Sequence, residues 1–426
     1  MTTTASDPPA GLPANADVVV VGGGVIGIAC ARELARRGAS VVVVERDRIG
    51  HGCSYGNAGW LTPSQALPLA NPKLLLKAFG WLFNPESPLY IQPRLDPALL
   101  RWLLGFLFAS REAKFERGAR ALLELCRVSV DLWEELAARS GVPFGFERHG
   151  LLAVYESNAS FAAARAGIEL LARNGIAADT WSADEVRQRE PAIVGRQVGG
   201  HFFPADAQCE PYPAVLALAA EAEAAGALLV EGCELFSLAP LADGVHRLRT
   251  TRGEIAARRV VLATGSWSEP IGKALGFRLP ILGAKGYSLV LPRHDPHPRR
   301  SIYLIERKIA VNPHADSLRI AGTLELVRGD FSINRRRLDV VLRGARGMLA
   351  LDDPPRIDEV WRGLRPCAPD GMPMIGKARA AGEIWLATGH QMTGLKTATG
   401  SGLLLAQLMH GETPSFDPEP FRADRY

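Results

Sequence analysis

The stretch from Asp17 to Glu45, DVVVVGGGVIGIACARELARRGASVVVVE, restricts what this chain can fold into more than any other. Four valines, Val18 to Val21, predict a buried strand, and an apolar helical pattern follows the glycines Gly22, Gly24 and Gly27. In this G-x-G-x-x-G spacing the first glycine permits a tight turn. The second lets the backbone approach a pyrophosphate, and the third lets the helix lie close on the strand. Val25 and Ile26 open that helix, whose N-terminal amides and dipole favour phosphate charge. Arg36 and Arg37 suit its negative pole, and Gly38 suits a left-handed cap. A second strand, Val41 to Val44, delivers Glu45 at the spacing where an acid accepts hydrogen bonds from a ribose, with Arg46 beside it. A glycine motif by itself is weak evidence. Strand, turn, helix and acid in this order predict an adenine dinucleotide site.

At 426 residues the chain is long for one core and predicts two structural parts. Its net charge of +4 is small for that length, and the basic run Arg335 to Arg337 has no interleaved aromatics. The run therefore reads as a solvated helix face, and no nucleic acid is expected as a partner. Cys30, Cys53, Cys126, Cys209, Cys233 and Cys367 contain no C-x-x-C pattern, which predicts reduced thiols in a cytoplasmic protein and no metal site. Residues 1–15, polar and proline-rich, predict a disordered leader that is not a secretory signal. No run approaches the ~18 to 20 apolar residues that a membrane span requires. Leu74 to Phe83 and Leu99 to Ala109, interrupted by Lys77 and Arg101, read either as amphipathic helices over a core or as a peripheral patch on the inner face of a membrane.

Beyond Glu45, the small residues and turn formers from Gly50 to Pro63 leave the sheet at its ligand-bearing edge. That places Ser54, Asn57, Ala58 and Gly59 to offer hydroxyl, amide and backbone groups. Repeated prolines from Pro68 to Pro97 mark an exit from the nucleotide fold. Helices are predicted over Pro97 to Ser110, Arg111 to Arg139, Ala159 to Arg173, Ser182 to Glu190 and Tyr212 to Ala225. A buried strand, Val260 to Ala263, ends in Thr264 and Gly265, where a larger side chain would collide with a ligand lying across the strand ends. Strands at Gly286 to Leu291, Ser301 to Val311 and Leu318 to Leu326 predict an antiparallel sheet, and a helix follows from Arg335 to Leu349. The C-terminal section carries a strand, Ile384 to Ala387, then glycines at Gly389, Gly394 and Gly400 and a helix beginning near Thr397. The predicted fold is α/β: a discontinuous Rossmann-like domain over 16–62, 200–283 and 361–426, and a substrate domain with a mixed or antiparallel sheet and helices over 63–199 and 284–360. A nucleotide fold interrupted twice and closed by a C-terminal glycine loop suits FAD better than a nicotinamide cofactor.

The ordered motifs resemble those of the D-amino acid oxidase and glycine oxidase superfamily of flavoproteins. Within it, CSYGNAGWLTP, GAKGYSLVLP, GLRPCAPDGMPMIG and TGHQMTG look most like the bacterial D-amino acid dehydrogenases, from about Ala16 to Gly411. The resemblance implies that Gly22, Gly24, Gly27 and Glu45 hold the ADP half. It places Ser54, Asn57, Ala58 and Gly59 on the flavin side with Thr264 and Gly265 nearby, and brings the loop Gly389 to Lys396, including Leu395, to the flavin ring. It implies oxidative deamination of a small D-amino acid, in which hydride passes from Cα to flavin N5 and the imine hydrolyses to a keto acid and ammonia. Arg365 matches the superfamily's carboxylate-binding arginine, as opposed to an ion pair with Asp370 or Glu359. Tyr287 either donates its hydroxyl to the same carboxylate or packs beneath it, and His390 either acts near the flavin or satisfies local backbone. Lys396 departs from the dehydrogenase pattern and looks like a carboxylate-binding lysine of the sarcosine oxidase branch. It opens the alternative of a secondary amino acid such as D-proline, hydroxy-D-proline or sarcosine. A non-catalytic flavin-binding subunit and a nicotinamide dehydrogenase are the readings from other classes. Quinone and oxygen both remain as electron acceptor. Cys367 is out of register for covalent flavin attachment, and Trp60, Trp81 and Trp361 read as core residues.

Overall fold

The strand Asn15–Val21 is central to a parallel sheet, and its alternating valines face two different cores. Val18 and Val20 pack with the helix Val25–Ala35, whereas Val19 and Val21 pack with Leu248 and Leu262, so both faces are covered and the strand is apolar throughout. The structure is a computed structural model that describes residues 11–71, 87, 89–91, 95–241, 244–327, 329–379 and 382–426. The expected helix from Leu74 to Phe83, with Trp81, and most of the expected leader lie outside the described residues.

Five strands run parallel in the order Leu228–Val230, Val41–Val44, Asn15–Val21, Gly253–Leu262 and Ile384–Thr388. Met374–Lys377 closes that edge antiparallel, and the hairpin of Leu235–Pro240 and His246–Thr250 pairs with the first half of Gly253–Leu262. The chain leaves the central strand to one side for Val41–Val44 and returns on the other side as Gly253–Leu262. The crevice at their carboxyl ends is therefore the topological switch point where such sheets bind ligands. Val25–Ala35 is clamped by the helices Pro211–Ala224 and Ala398–His410. A Cβ on Gly402 would lie 2.5 Å from the Ala29 carbonyl oxygen, so this helix crossing needs glycine there.

The second sheet has nine strands and is largely antiparallel: Glu359–Cys367, Leu282–Pro292, Ser317–Leu326, Ile309–Pro313, Ser301–Leu304, Leu151–Tyr155, Gly199–Phe203 and Asp179–Ser182, with Leu89–Ile91 parallel to Ser317–Leu326. Gly199–Phe203 and Glu359–Cys367 belong here, so the boundaries expected at 200 and 361 fall inside strands of this sheet. Ser301 to Val311 is a hairpin, not one strand, because the chain turns at Lys308, which has a φ of +56°. The helix Arg335–Arg346 exposes Arg335 and Arg336, but Arg337 is buried and corrects the expectation of a solvated basic face. Its guanidinium lies 3.4 Å from Glu325, donates to the Ser87 carbonyl and covers the Tyr90 ring. Pro97–Ala109 is helical as expected, with Leu99 and Trp102 buried and Leu100, Leu104, Leu107 and Phe108 exposed. Among the described residues no helix is long and apolar enough to cross a membrane, and all six cysteines are free thiols.

Candidate active site

At the switch point the glycine motif adopts the geometry its spacing implies. Gly22 has a φ of +108°, and a Cβ there would lie 2.7 Å from the Ala263 carbonyl oxygen. A Cβ on Gly27 would lie 1.9 Å from the carbonyl oxygen of Gly22, so helix and turn are in backbone contact. Ser54 Oγ accepts from the Val25 amide at 3.0 Å, while the first-turn amides of Ile26 and Gly27 have no acceptor among the described residues. Glu45 accepts from the Gly23 and Asp47 amides at 2.7 and 2.9 Å, one to each carboxylate oxygen, which fixes the acid over the turn and leaves each oxygen a further lone pair. Thr264, Ser268 and Thr388 form a chain of hydroxyls at 2.9 and 2.8 Å across the ends of two neighbouring parallel strands. Orphan helix amides, a bare glycine turn and a restrained acid fit a dinucleotide.

From Asn57 and Ala58 a cavity of about 650 Å³ runs along the nine-stranded sheet toward the helix Pro97–Ala109. The loop after Ile384–Thr388 forms part of its wall through Gln391, Met392 and Lys396. The successive amides of Gly394, Leu395 and Lys396 have no acceptor among the described residues, an arrangement suited to an electron-rich group. The amide of Gly400 in the following helix is already taken by Ser129 Oγ at 3.1 Å, so the donors available here belong to the loop more than to the helix. Leu395 itself is buried, and its carbonyl accepts from Trp133 Nε1. Gly389 has a φ of +80°, Gly265 of +53° and Gly59 of +85°, and a Cβ on Gly59 would lie 2.4 Å from the Cys209 carbonyl oxygen. Asn57 Oδ1 accepts from the Gly59 amide and braces that turn.

Arg365 reaches the cavity from Glu359–Cys367. Its guanidinium lies over Gly286 on the adjacent strand, where a Cβ would stand 2.1 Å from both Nη atoms. One Nη donates to the Thr323 carbonyl at 2.9 Å. No carboxylate pairs with Arg365 among the described residues: Asp370 is held by Arg425, and Glu359 makes no bond to Arg365. Burial pushes its pKa down, since nothing of opposite charge is close enough to compensate fully. Thr323 sits where the register of Leu282–Pro292 against Ser317–Leu326 slips, and has a φ of +61°, a strained conformation for a β-branched residue. Its hydroxyl is buried with no partner.

Lys396 is 5 % exposed, and its Nζ donates to Thr62 Oγ1 at 2.7 Å and to the Thr62 carbonyl at 3.3 Å. Burial lowers its pKa, opposed by the nearby Cys126 and Asp206. Asp206 is fully buried on the Ser64 amide and hydroxyl, and burial pushes its carboxyl up to about 7.

Two expected catalytic groups lie elsewhere. Tyr287 is buried behind the sheet, its hydroxyl accepting from the Asn334 amide at 3.1 Å, and it does not line the cavity. The strand's alternation sends Tyr287 to the face opposite the guanidinium resting on Gly286. His390 is also absent from the cavity wall: its ring bonds Ser401 Oγ at 3.0 Å, and burial pushes its pKa down to about 3. Conversely, Trp60 and Trp361, read as core from the sequence, both line the cavity. Trp361 is wedged between glycines: a Cβ on Gly56 or on Gly363 would come within 2.0 or 2.1 Å of its indole. The i, i+2 pairing of Trp361 with Gly363, with the arginine two residues further along the same face, is a signal the sequence carried. Gln391 and Met392 lie in the Gly389–Lys396 loop that the motifs singled out, whereas nothing in the sequence distinguished Thr323.

The FAD dependent oxidoreductase family model, DAO, matches residues 17–408. Over 97% of its length the chain is 33% identical to the whole of a D-amino-acid oxidase of Bradyrhizobium diazoefficiens. It is 34% identical to a D-amino acid dehydrogenase of Paramagnetospirillum magneticum, over 96% of this chain and 98% of that one. Its fold is that of glycine oxidase from Geobacillus kaustophilus (TM-score 0.79, 24% identity, 97% of this chain and 100% of that one). It is equally that of L-proline dehydrogenase from P. horikoshii (TM-score 0.77, 20% identity, 97% and 98%). A glycine turn with free helix amides, a cavity at its carboxyl edge and a match over nearly the whole length lead to one conclusion: the chain belongs to the DAO family of FAD-dependent oxidoreductases.

Proposed function

We propose that this enzyme oxidises the C–N bond of a D-amino acid with an apolar side chain. The observation that carries the reading is Arg365, a half-buried guanidinium without a carboxylate partner among the described residues, facing a cavity whose described lining residues include no acid. Such a group grips a substrate carboxylate through two parallel hydrogen bonds, and Lys396 lines the same cavity. Beyond Arg365 the wall is hydrocarbon: Leu324 and Leu326 on one strand, Leu89 and Ile91 beside them, and Trp102 and Phe106 from the helix Pro97–Ala109. A bulky apolar side chain fits that wall better than the small one expected from the sequence, and a basic side chain would find no counter-ion among the described lining residues.

FAD, when bound, supplies the acceptor for the hydride that leaves Cα. Gly22, Gly24, Val25, Ile26, Gly27, Glu45 and Arg46 would hold its ADP half. Ser54, Asn57, Ala58, Gly59, Thr264, Gly265, Gly389 and the Gly394–Lys396 amides would hold the remainder. The chain's own contribution is to fix the carboxylate at Arg365 and keep water from the apolar wall. The nucleotide part would comprise the parallel sheet with its helices, and the substrate part the nine-stranded sheet with Pro97–Ala109 and Arg335–Arg346. The imine product hydrolyses to a keto acid and ammonia.

Anaerobic titration of the flavin absorbance with D-leucine, D-phenylalanine, D-alanine, D-lysine and D-proline tests the reading. Bleaching by the first two at the lowest concentrations is expected. A flavin that none of them reduces would overturn it, and preferential bleaching by D-proline would favour the secondary amino acid reading that Lys396 suggested.

A further inference from the structure

We propose that Arg46, Trp267, Phe331 and Arg362 form a clasp that closes over the dinucleotide crevice and retains FAD. The argument starts from topology. Val41–Val44 and Gly253–Leu262 are the two neighbours of the central strand, one on each side. Arg46 lies two residues past the end of the first, and Trp267 five past the end of the second. The Arg46 guanidinium nevertheless stacks 4.7 Å above the Trp267 ring. A contact between residues beyond the two flanking strands must span the end of the strand between them, and that is where the Gly22–Gly24 turn and the orphan amides of Ile26 and Gly27 lie.

The stack continues. Trp267 and Phe331 are parallel to within 15° with ring centroids 5.9 Å apart, and the Arg362 guanidinium lies 5.8 Å from the Phe331 centroid. Arg362 Nε also donates to the Phe331 carbonyl at 2.7 Å, which ties the ring's own backbone to the Glu359–Cys367 strand. Cation, indole, phenyl and cation thus alternate from the parallel sheet to the strand that carries Arg365. Phe331 is 37% exposed, far more than core packing alone would leave it. An exposed aromatic in contact with both Trp267 and Arg362 links the turn after Gly253–Leu262 to the strand that carries Arg365.

The turn beneath Trp267 is built to deliver it. Gly265 takes a left-handed conformation, and Ser266 Oγ donates to the Leu364 carbonyl at 2.6 Å, beside the Cys53 thiol that donates to the same oxygen at 2.5 Å. Two segments flanking the cofactor crevice are therefore pinned to one carbonyl next to Arg365. The side-chain stack spans the remaining gap with contacts that can open and reclose, because none of them is covalent or deeply buried.

The test is the rate of flavin release. Holoenzyme is mixed with a large excess of apo-glucose oxidase, which captures released FAD, and the recovery of glucose oxidase activity is followed for wild type, Phe331→Ala and Trp267→Ala. Losing one stacking and one cation–π contact predicts release faster by about five- to tenfold in each single variant. The double variant should add little, since either truncation already breaks the stack. Wild-type release rates in Phe331→Ala would overturn the clasp, whatever Trp267→Ala does. Because Phe331 lies at the surface, its truncation is expected to leave apoprotein unfolding unchanged, and a large loss of apoprotein stability would likewise overturn the assignment in favour of a structural role. Equal acceleration by Phe331→Ala and by the neighbouring surface change Ile333→Ala would also count against it, since Ile333 is outside the stack.

Discussion

Gly286→Ala tests the anchor without touching Arg365. The added methyl carbon would stand 2.1 Å from both Nη atoms and 2.2 Å from Cζ, where ordinary contact begins near 3.4 Å. Gly286 has no left-handed φ, so its backbone accepts alanine, and the obstructing atoms are the far end of a flexible side chain. The guanidinium must therefore move, by more than about an ångström, while the strand pairing stays. Displacement of that size breaks the bond to the Thr323 carbonyl and takes at least one of two charge-assisted hydrogen bonds from a bound carboxylate, a loss of ~1.5 to 3 kcal/mol. That corresponds to a KM raised roughly tenfold to a hundredfold, with kcat changed much less if the carboxylate is held equally in ground and transition states. Steady-state kinetics with the best D-amino acid would measure it, alongside the flavin spectrum and melting temperature, both expected at wild-type values. A KM within about twofold of wild type would show that the carboxylate is anchored elsewhere.

Gly27→Ala should behave in the opposite way: its Cβ meets the Gly22 carbonyl oxygen at 1.9 Å, backbone against backbone, so the variant is expected to be isolated without FAD or not to fold, as absorbance at 450 nm would report. His390 and His314 are pushed down by burial to about 3 and about 4, while the unfolded chain protonates both near 6.5. Stability they allow above pH 6.5 is thus lost as the pH falls toward those values, at up to ~1.4 kcal/mol per pH unit for each, and His390→Gln should remove one proton from the slope measured by denaturant unfolding between pH 6.5 and 4. The exposed Leu100, Leu104 and Leu107 at the cavity mouth, with Phe108, Arg101 and Arg111 beside them, would suit an anionic lipid surface. Cosedimentation with phosphatidylglycerol vesicles should be lost in Leu104→Glu/Phe108→Glu, and absence of wild-type binding would remove the membrane from the account.

Local rules made the nucleotide half legible. The strand Val41–Val44 and the cap at Gly38 fall where residue pattern placed them, because four buried valines, a glycine and two arginines each have one low-energy use in that order. The substrate half was read less well because its geometry depends on which strands become neighbours. Sequence identified Arg365 by its motif, but that its guanidinium rests on Gly286 follows from a register 79 residues away in the chain. Tyr287 looked equivalent to a site residue from KGYS, yet one step along a strand reverses the face, and the slip between Lys285 and Tyr287 decides which face that is. Arg337 was misread for a similar reason: a helix of mixed charge says nothing about Glu325 and Tyr90 arriving from other strands to bury it.

Thr323 shows how strain and chemistry are connected in this site. A threonine held at φ +61° costs of order 1 to 3 kcal/mol, and a glycine would relieve it at once, so the conformation persists only because surrounding contacts impose it. Those contacts are the register slip in Ser317–Leu326 and the bond from Arg365 to the Thr323 carbonyl. The same bulge turns the strand from the guanidinium toward the hydrocarbon wall within one residue, since Leu324 already lines the apolar part of the cavity. A regular strand would present carbonyl and leucine on a fixed alternation and could not place a carboxylate grip and an apolar wall side by side on one face. The strain is thus the local cost of setting two chemically opposed walls against each other, the combination an amino acid with a charged head and an apolar side chain requires.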